Sequence, residues 1–415
     1  MRIKYGAKTG LIILSAVSFL FTCFTCNCSK VAASVTSEAD YIIYKDSGTY
    51  WAVSGKQGGT DYSGTDAKTV IQSAINALPS GGKIFIKKDV DPYPISSQIN
   101  MAANLTVVSD GAVLQASGAN ILFDYNGGSN YSGDITIKSL VFDGANEAAN
   151  YGIVMEDASN IKIEHCIFRS FLSYGLWVGE TLRAYVADNT FAFNDSGCKL
   201  WRADGAVVKN KCEQNKVIGI NCEEIGATIG PADNQKETYL VISENNCYKN
   251  GDISDNMKPG HGIRLCNSAN VIVDSNVCYE NGQYGILLWK CNGGSNGQGG
   301  YKGANIVISN NITRKNYRNG IILDGYSVDG TPSIGILVKG NSTEYNILRG
   351  ISIFYTQQAT ITNNRVQNNG EGIVEAANTN CDYNIIFGNC VRNNTSLSIQ
   401  SVGANTVVEN NYVYP

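Results

Sequence analysis

Charge and proline are scarce in this sequence. Asp, Glu, Lys and Arg make up 16% of its 415 residues, and proline occurs only 7 times. A typical globular chain carries roughly 25% charged residues. Lys plus Arg number 32 against 36 Asp plus Glu, a net charge of -4, which excludes a broad basic footprint for nucleic acid. Disorder is excluded as well, because 43% of the residues are hydrophobic and the net charge is small. No Cys-x-x-Cys pair occurs among the ten cysteines from Cys166 onward, which argues against a zinc site. The abundant residue is glycine, at 44. Many glycines with few charges and few prolines suit a large β protein full of turns.

The N-terminus reads as an export signal over residues 1–33. Arg2, Lys4 and Lys8 form a basic start, Leu11 to Phe24 is apolar but short for a membrane span, and Val31-Ala32-Ala33 offers a cleavage site before Ser34. The alternative is a retained N-terminal anchor. Later segments are too polar and glycine-interrupted to cross a bilayer. The expected location is extracellular or at the cell surface, with no membrane span in the mature chain.

Length alone would allow two or three domains at roughly 150 residues each. A repeat argues for one. From residue 134 onward the pattern Gly-Ile-x-Leu, a turn, Asn-Val-x-Ile-x-x-Asn, a short apolar stretch and an Asn recurs. The clearest copy is Gly262-Ile263-Arg264-Leu265, then Asn270 to Asn276, then Asn281, then Gly285. Gly152, Gly175, Gly197, Gly219, Gly262, Gly285, Gly320, Gly350 and Gly372 open successive units, 22–23 residues apart except where insertions intervene. Each unit holds three short runs of alternating pattern. Such runs cannot fold alone but can pair in parallel with the coil above, ~4.8 Å away. The expected fold is all-β: a single-stranded right-handed parallel β-helix of about ten coils, with 134–415 as the repeats and 34–133 as a cap and first coils, continuous in one domain.

Two internal columns follow. Asn189, Asn210, Asn245, Asn276, Asn311, Asn341, Asn364, Asn389 and Asn411 should stack as a buried ladder, with Cys166 in its place on the first rung. Asn side chains tolerate left-handed backbone and bond neighbouring peptides. An exported chain could use its cysteines as disulfides. Stacked Cβ atoms pointing one way suit that geometry badly, so Cys212, Cys247 and Cys278 are read as free buried thiols. Sequons occur at Asn104, Asn130, Asn194, Asn311, Asn341, Asn393 and Asn394; those at Asn311 and Asn341 are expected to be silent, as ladder members. Ahead of the repeats, Thr65-Asp66 can cap a helix whose Val70, Ile71, Ala74, Ile75 and Leu78 face one side, ended by Pro79-Ser80-Gly81-Gly82. It is positioned to cover the open end of the solenoid.

The run from Thr65 to Leu78, followed by Gly81-Gly82-Lys83-Ile84-Phe85-Ile86, resembles the start of pectate-lyase-like proteins. The Gly-Ile-x-Leu and Asn repeats resemble those of the pectin-lyase-like superfamily, so the likeness spans roughly residues 60–415. It implies the parallel β-helix. It also implies that a ligand uses the groove along the strand beginning Gly-Ile-x-Leu. The superfamily holds lyases, hydrolases and epimerases of acidic polysaccharides, tailspikes and non-catalytic surface proteins, so fold does not fix activity. Gly260-His261-Gly262 matches the Gly-His-Gly element of polygalacturonases, but their Asn-Thr-Asp and Asp-Asp elements are missing. The Asp-Pro-His element of alginate epimerases is missing too.

With Ile and Leu inward, the outward residues lie two and four after each glycine. The first row is Val154, Trp177, Lys199, Asn221, Arg264, Leu287, Ile322, Ser352 and Val374; the second is Glu156, Gly179, Trp201, Glu223, Cys266, Trp289, Asp324, Phe354 and Ala376. Trp177, Trp201, Asn221, Trp289, Asp324 and Phe354 are candidate sugar-binding residues, the aromatics by stacking. The alternative is that loops bury the tryptophans. Arg264, His261, Glu223 and Lys199 are the catalytic candidates. Two insertions, about 225–238 and 251–261, flank them.

A uronate lyase or epimerase must neutralise the sugar carboxylate and remove the proton beside it. Arg264 and Lys199 suit the first task, and His261 or Lys258 the second. Calcium held by Glu223, Glu224, Asp252 or Asp255 could assist. A hydrolase needs carboxylates ~5–9.5 Å apart, and Glu156, Glu223 and Asp324 are each three rungs apart, about 14 Å. The expected function is cleavage or epimerisation of an acidic polysaccharide by a monomer. The alternatives are a non-catalytic glycan-binding or adhesin-like β-helix and a glycoside hydrolase. His165, the other histidine, is expected at a turn.

Overall fold

The computed structural model describes residues 38–56, 59–230, 236–252, 259–291, 304–325, 332–377 and 380–414. The expected signal, residues 1–33, with Cys23, Cys26 and Cys28, lies outside the described residues, as do Asp255 and Lys258. Among the described residues no helix is long and apolar enough to cross a membrane.

Three parallel sheets run the length of the solenoid, and each coil contributes one strand to each. One coil is Val271–Asp274, Val277–Tyr279 and Tyr284–Trp289; each strand pairs in parallel with its counterpart one coil earlier and one coil later. The sheets hold 16, 13 and 12 strands. Among the described residues the twelve strands of the third sheet mean twelve coils, against about ten expected. The first coils lie before residue 134, as expected, where Tyr93–Ile95, Ile99–Asn100 and Val113–Ala116 wind in register without the Gly-Ile-x-Leu signature.

The glycine that opens each groove strand has a steric cause. A Cβ on Gly262 would stand 2.6 Å from the carbonyl oxygen of Gly285 on the next rung, and one on Gly219 2.6 Å from that of Gly262. Only glycine permits so close a stack.

The asparagine ladder is present. Asn245 donates its backbone N–H and its side-chain amide to Asn276 Oδ1, both at 2.9 Å, and Asn276 does the same to Asn311 at 2.9 and 3.0 Å. The contact continues to Asn411. Cys166 fills its first position, donating its N–H to Asn189 Oδ1. The left-handed residue is the one before each ladder member, among them Lys209, Glu244, Ser275 and Asn310, rather than the asparagine itself.

A second ladder runs through Asn194, Asn215, Asn250, Asn281, Asn316, Asn346, Asn369 and Asn394. The repeat contains its residues as the Asn after each short apolar stretch, but sequence reasoning gave them no column of their own. It buries the sequon residue Asn194 completely.

Between the ladders, one inward column of the second sheet changes character along the axis. Phe142, Phe168 and Phe191 stack at 5.0 Å, then Cys212, Cys247 and Cys278 take over in register. All three thiols are free and buried, and burial pushes each above its usual range. At the N-terminal end, the helix Ala67–Asn76 is capped by Asp66, whose carboxylate accepts the Thr69 N–H at 3.0 Å. Its Val70, Ile71, Ala74 and Ile75 are buried, closing the core. Antiparallel strands Tyr41–Asp46, Thr49–Ser54 and Tyr62–Gly64 extend the first sheet beyond it.

Candidate functional site

The third sheet sets the two outward rows in the register the repeat implies. Trp177, Lys199, Asn221, Arg264 and Leu287 are successive partners, and beside them run Gly179, Trp201, Glu223, Cys266, Trp289, Asp324 and Phe354. A third column stands before the glycines: Tyr151, Tyr174, Ser196, Ile218, His261 and Tyr284. His261 thus opens the strand His261–Cys266 rather than closing a loop.

Charge gathers at one point. Lys199 Nζ lies 2.7 Å from Glu223 Oε2, and Arg264 Nη2 lies 3.8 Å from Glu223 Oε1. Asn221, itself buried, donates its amide to Glu223 Oε1 at 3.3 Å and to the Tyr174 hydroxyl at 3.2 Å. Burial alone would raise the Glu223 carboxyl. The hydrogen bond and charge of Lys199, with Asn221 and Arg264, hold it below the usual range. Burial pushes the Tyr174 phenol up, so it keeps its proton at neutral pH.

His261 is 4% exposed and stacks on Tyr284 with ring centres 5.2 Å apart. Burial, reinforced by the charges of Arg264 and Arg318, pushes it down to about 3, so the ring is neutral. The tryptophans are half-buried rather than covered. Lys199 lies 4.5 Å from the Trp177 ring centre, and Arg264 lies 4.9 Å from that of Trp289.

Seven buried side-chain polar atoms have no hydrogen-bond partner among the described residues, and four of them belong to this cluster. They are Trp177 Nε1, Asn221 Oδ1, His261 Nδ1 and Arg264 Nε. Unsatisfied buried groups are costly, and such a concentration marks a place where water or a ligand supplies the missing partners.

Residues 120–296 match the family described as the right handed beta helix region. The chain has the fold of a right-handed parallel β-helix. No curated protein matches it in sequence. Among solved structures, the A-module of the Azotobacter vinelandii mannuronan C-5 epimerase AlgE6 superposes with a TM-score of 0.64 at 16% identity, over 84% of this chain and 95% of that one. The AlgE4 A-module of the same organism gives 0.56 at 15%, over 84% and 91%. DFA-IIIase from Arthrobacter chlorophenolicus A6, without its lid, gives 0.51 at 10%, over 83% and 95%. At these identities the likeness is one of fold.

On this β-helix two further candidates lie apart from the centre. Asp324 and Phe354 are two and three rungs beyond Arg264, ~10 and ~14 Å along the axis. Trp201 borders Glu223 in register, and its ring faces Arg202 at 4.7 Å. Of the calcium candidates, Glu223 is engaged by Lys199, Glu224 is held by Arg202 at 2.7 Å, and exposed Asp252 lines a flanking cleft with Lys249 and Lys216. Among the described residues no group of three His, Cys, Asp or Glu side chains is placed to hold a metal. The insertion at 225–238 forms a small antiparallel ribbon, Thr228–Ile229 with Lys236–Glu237. His165 is exposed at a left-handed turn, as expected.

Sequence reasoning missed Tyr174, because the position before the glycine was not recognised as a third outward column. It also missed Asp124, which pairs in register with Val154. Burial raises the Asp124 carboxyl, and burial with nearby Asp157, Asp124 and Glu180 raises that of Glu156.

Proposed function

We propose that the protein binds an acidic polysaccharide along the third sheet and acts on a uronate residue by removing the proton beside its carboxylate, leading to cleavage or epimerisation. The observation that carries this reading is the convergence of four unpartnered buried polar atoms on the Lys199–Glu223–Arg264 cluster. The fold likeness to mannuronan epimerase modules is compatible with it.

Arg264 is the group to meet the sugar carboxylate, since its Nε is buried and unpartnered and a guanidinium takes a carboxylate by two parallel bonds. Lys199 stands second to it, already engaged by Glu223. Neutralising the carboxylate makes the adjacent C–H more acidic by stabilising the charge that develops when it leaves.

His261 is the proton acceptor, neutral and with an unpartnered Nδ1. In the empty site it is a weak base, because burial and two guanidiniums oppose its protonation. A bound substrate carboxylate offsets those charges and raises its proton affinity toward a useful range. Tyr174, protonated and fixed by Asn221, can donate to a departing sugar oxygen or return a proton. Glu223 orients Lys199 and Arg264. Its lowered pKa makes it unsuited to the acid role of a glycoside hydrolase. Calcium, if it takes part, would have to draw on Asp255 or on substrate oxygens in addition to the carboxylates described above.

One observation favours the second reading, a non-catalytic glycan-binding β-helix: the weak basicity of His261 in the empty site. Incubation with a panel of uronate and neutral glycans separates the readings. Unsaturated or epimerised product supports the enzyme, new reducing ends alone mark a hydrolase, and tight binding with no product marks a binding protein. The export expected from the N-terminus would bring such a protein to its glycan outside the cytoplasm.

A further inference from the structure

Beyond the charged centre, the groove opens into a cleft of about 510 Å³ three rungs toward the C-terminus. It shares a wall with the centre, because Tyr284, which lines it, is the ring stacked on His261. Its walls combine two unlike chemistries. Among the described residues that line it, Arg318 and Arg349 supply two guanidiniums and Glu371 one carboxylate, which Arg349 Nε meets at 2.6 Å. Arg349 also reaches Ser352 Oγ at 3.1 Å and faces the Phe354 ring at 5.5 Å. On the lip stand Ile347 and Leu348, 55% and 48% exposed, with Ile322 buried below.

That lip is particular to one coil. The two preceding coils carry Gly282-Gln283 and Tyr317-Arg318 at the corresponding positions before their glycines. Two adjacent exposed aliphatics at the mouth of a cleft offer nothing to sugar hydroxyls, which need polar partners.

We propose that this cleft recognises an O-acetylated uronate residue on the polysaccharide strand that occupies the catalytic groove. The acetyl methyl packs on Ile347 and Leu348, and the free carboxylate lies toward Arg318 and Arg349. An ester on a hydroxyl fits better than a methyl ester on the carboxyl, because the latter removes the charge that the net positive wall complements. The inference rests on the proposed uronate reading of the groove.

The test is calorimetric binding of O-acetylated oligomannuronate and oligogalacturonate, each compared with the same material after mild alkaline deacetylation. The full chain should prefer an acetylated form about four-fold or more, as one buried methyl-sized group implies. The Ile347→Ser, Leu348→Ser double variant should lose that preference while binding deacetylated material as before; both residues are exposed, so the fold tolerates the change. Equal affinity for the two forms in the natural protein, or a preference unchanged in the variant, overturns the inference and leaves the groove reading standing. Absence of binding to every form overturns both.

Discussion

Arg264 Nη2 lies 3.8 Å from Glu223 Oε1, reaching diagonally across one rung of the third sheet. Its Nε, buried, meets no partner among the described residues. The guanidinium is thus held between Glu223 and the Trp289 ring with one buried N–H left unsatisfied. Replacing it tests the site without disturbing the coils, because its backbone pairing is independent of its side chain.

Arg264→Ala is expected to lower turnover of a uronate substrate by at least about 100-fold, the usual loss when a group stabilising developing charge is removed. Circular dichroism and the thermal midpoint should stay close to those of the natural protein. Arg264→Lys should recover only part of the activity, since an ammonium cannot form the two-bond fork. Steady-state kinetics on the three proteins checks this.

The ladder makes a prediction about stability. Asn276→Ala removes the acceptor for both donors of Asn245 and the donors to Ile242 O and Asn311 Oδ1. Leaving buried amides without partners costs roughly 2–4 kcal/mol. Urea unfolding of the variant should show that loss, and a change within error would contradict the ladder's role.

The core thiols supply a chemical test. Cys212, Cys247 and Cys278 should be unreactive to a thiol reagent in the folded protein and fully alkylated once it is unfolded without reductant. A peptide linked through Cys212 and Cys247 would contradict the stacked geometry.

The histidine sets a pH dependence. Its folded value of about 3 lies below the ordinary 6.5, so between those pH values the unfolded chain binds a proton that the folded protein does not. Its contribution to stability is therefore fully present above pH 6.5 and is lost as the pH falls toward 3. Unfolding free energies at several pH values should fall more steeply for the natural protein than for His261→Gln. Parallel curves would show that His261 titrates normally.

The periodicity made the coils and the two outward rows legible, because parallel stacking repeats a side chain's direction from rung to rung. Lys199, Asn221, Glu223 and Arg264 could be brought together on that ground alone. Tyr174 could not, since its role depends on a side chain leaning along the axis to meet Asn221 two rungs away, a matter of rotamer rather than period. The depressed pKa of His261 was equally hidden: it arises from burial against Tyr284 and from Arg318, which the sequence holds 57 residues away. The early coils were expected within 34–133, but their number was not countable, because they keep the register without the glycine signature.

The central claim is proton removal from a bound uronate, and the most direct measurement is incubation of the protein with mannuronate and galacturonate polymers in deuterated water, followed by proton NMR. Deuterium at the carbon beside the carboxylate, or unsaturated chain ends, is expected with the natural protein and neither with Arg264→Ala. Loss of no proton on any uronate polymer, or equal exchange by the variant, would contradict it.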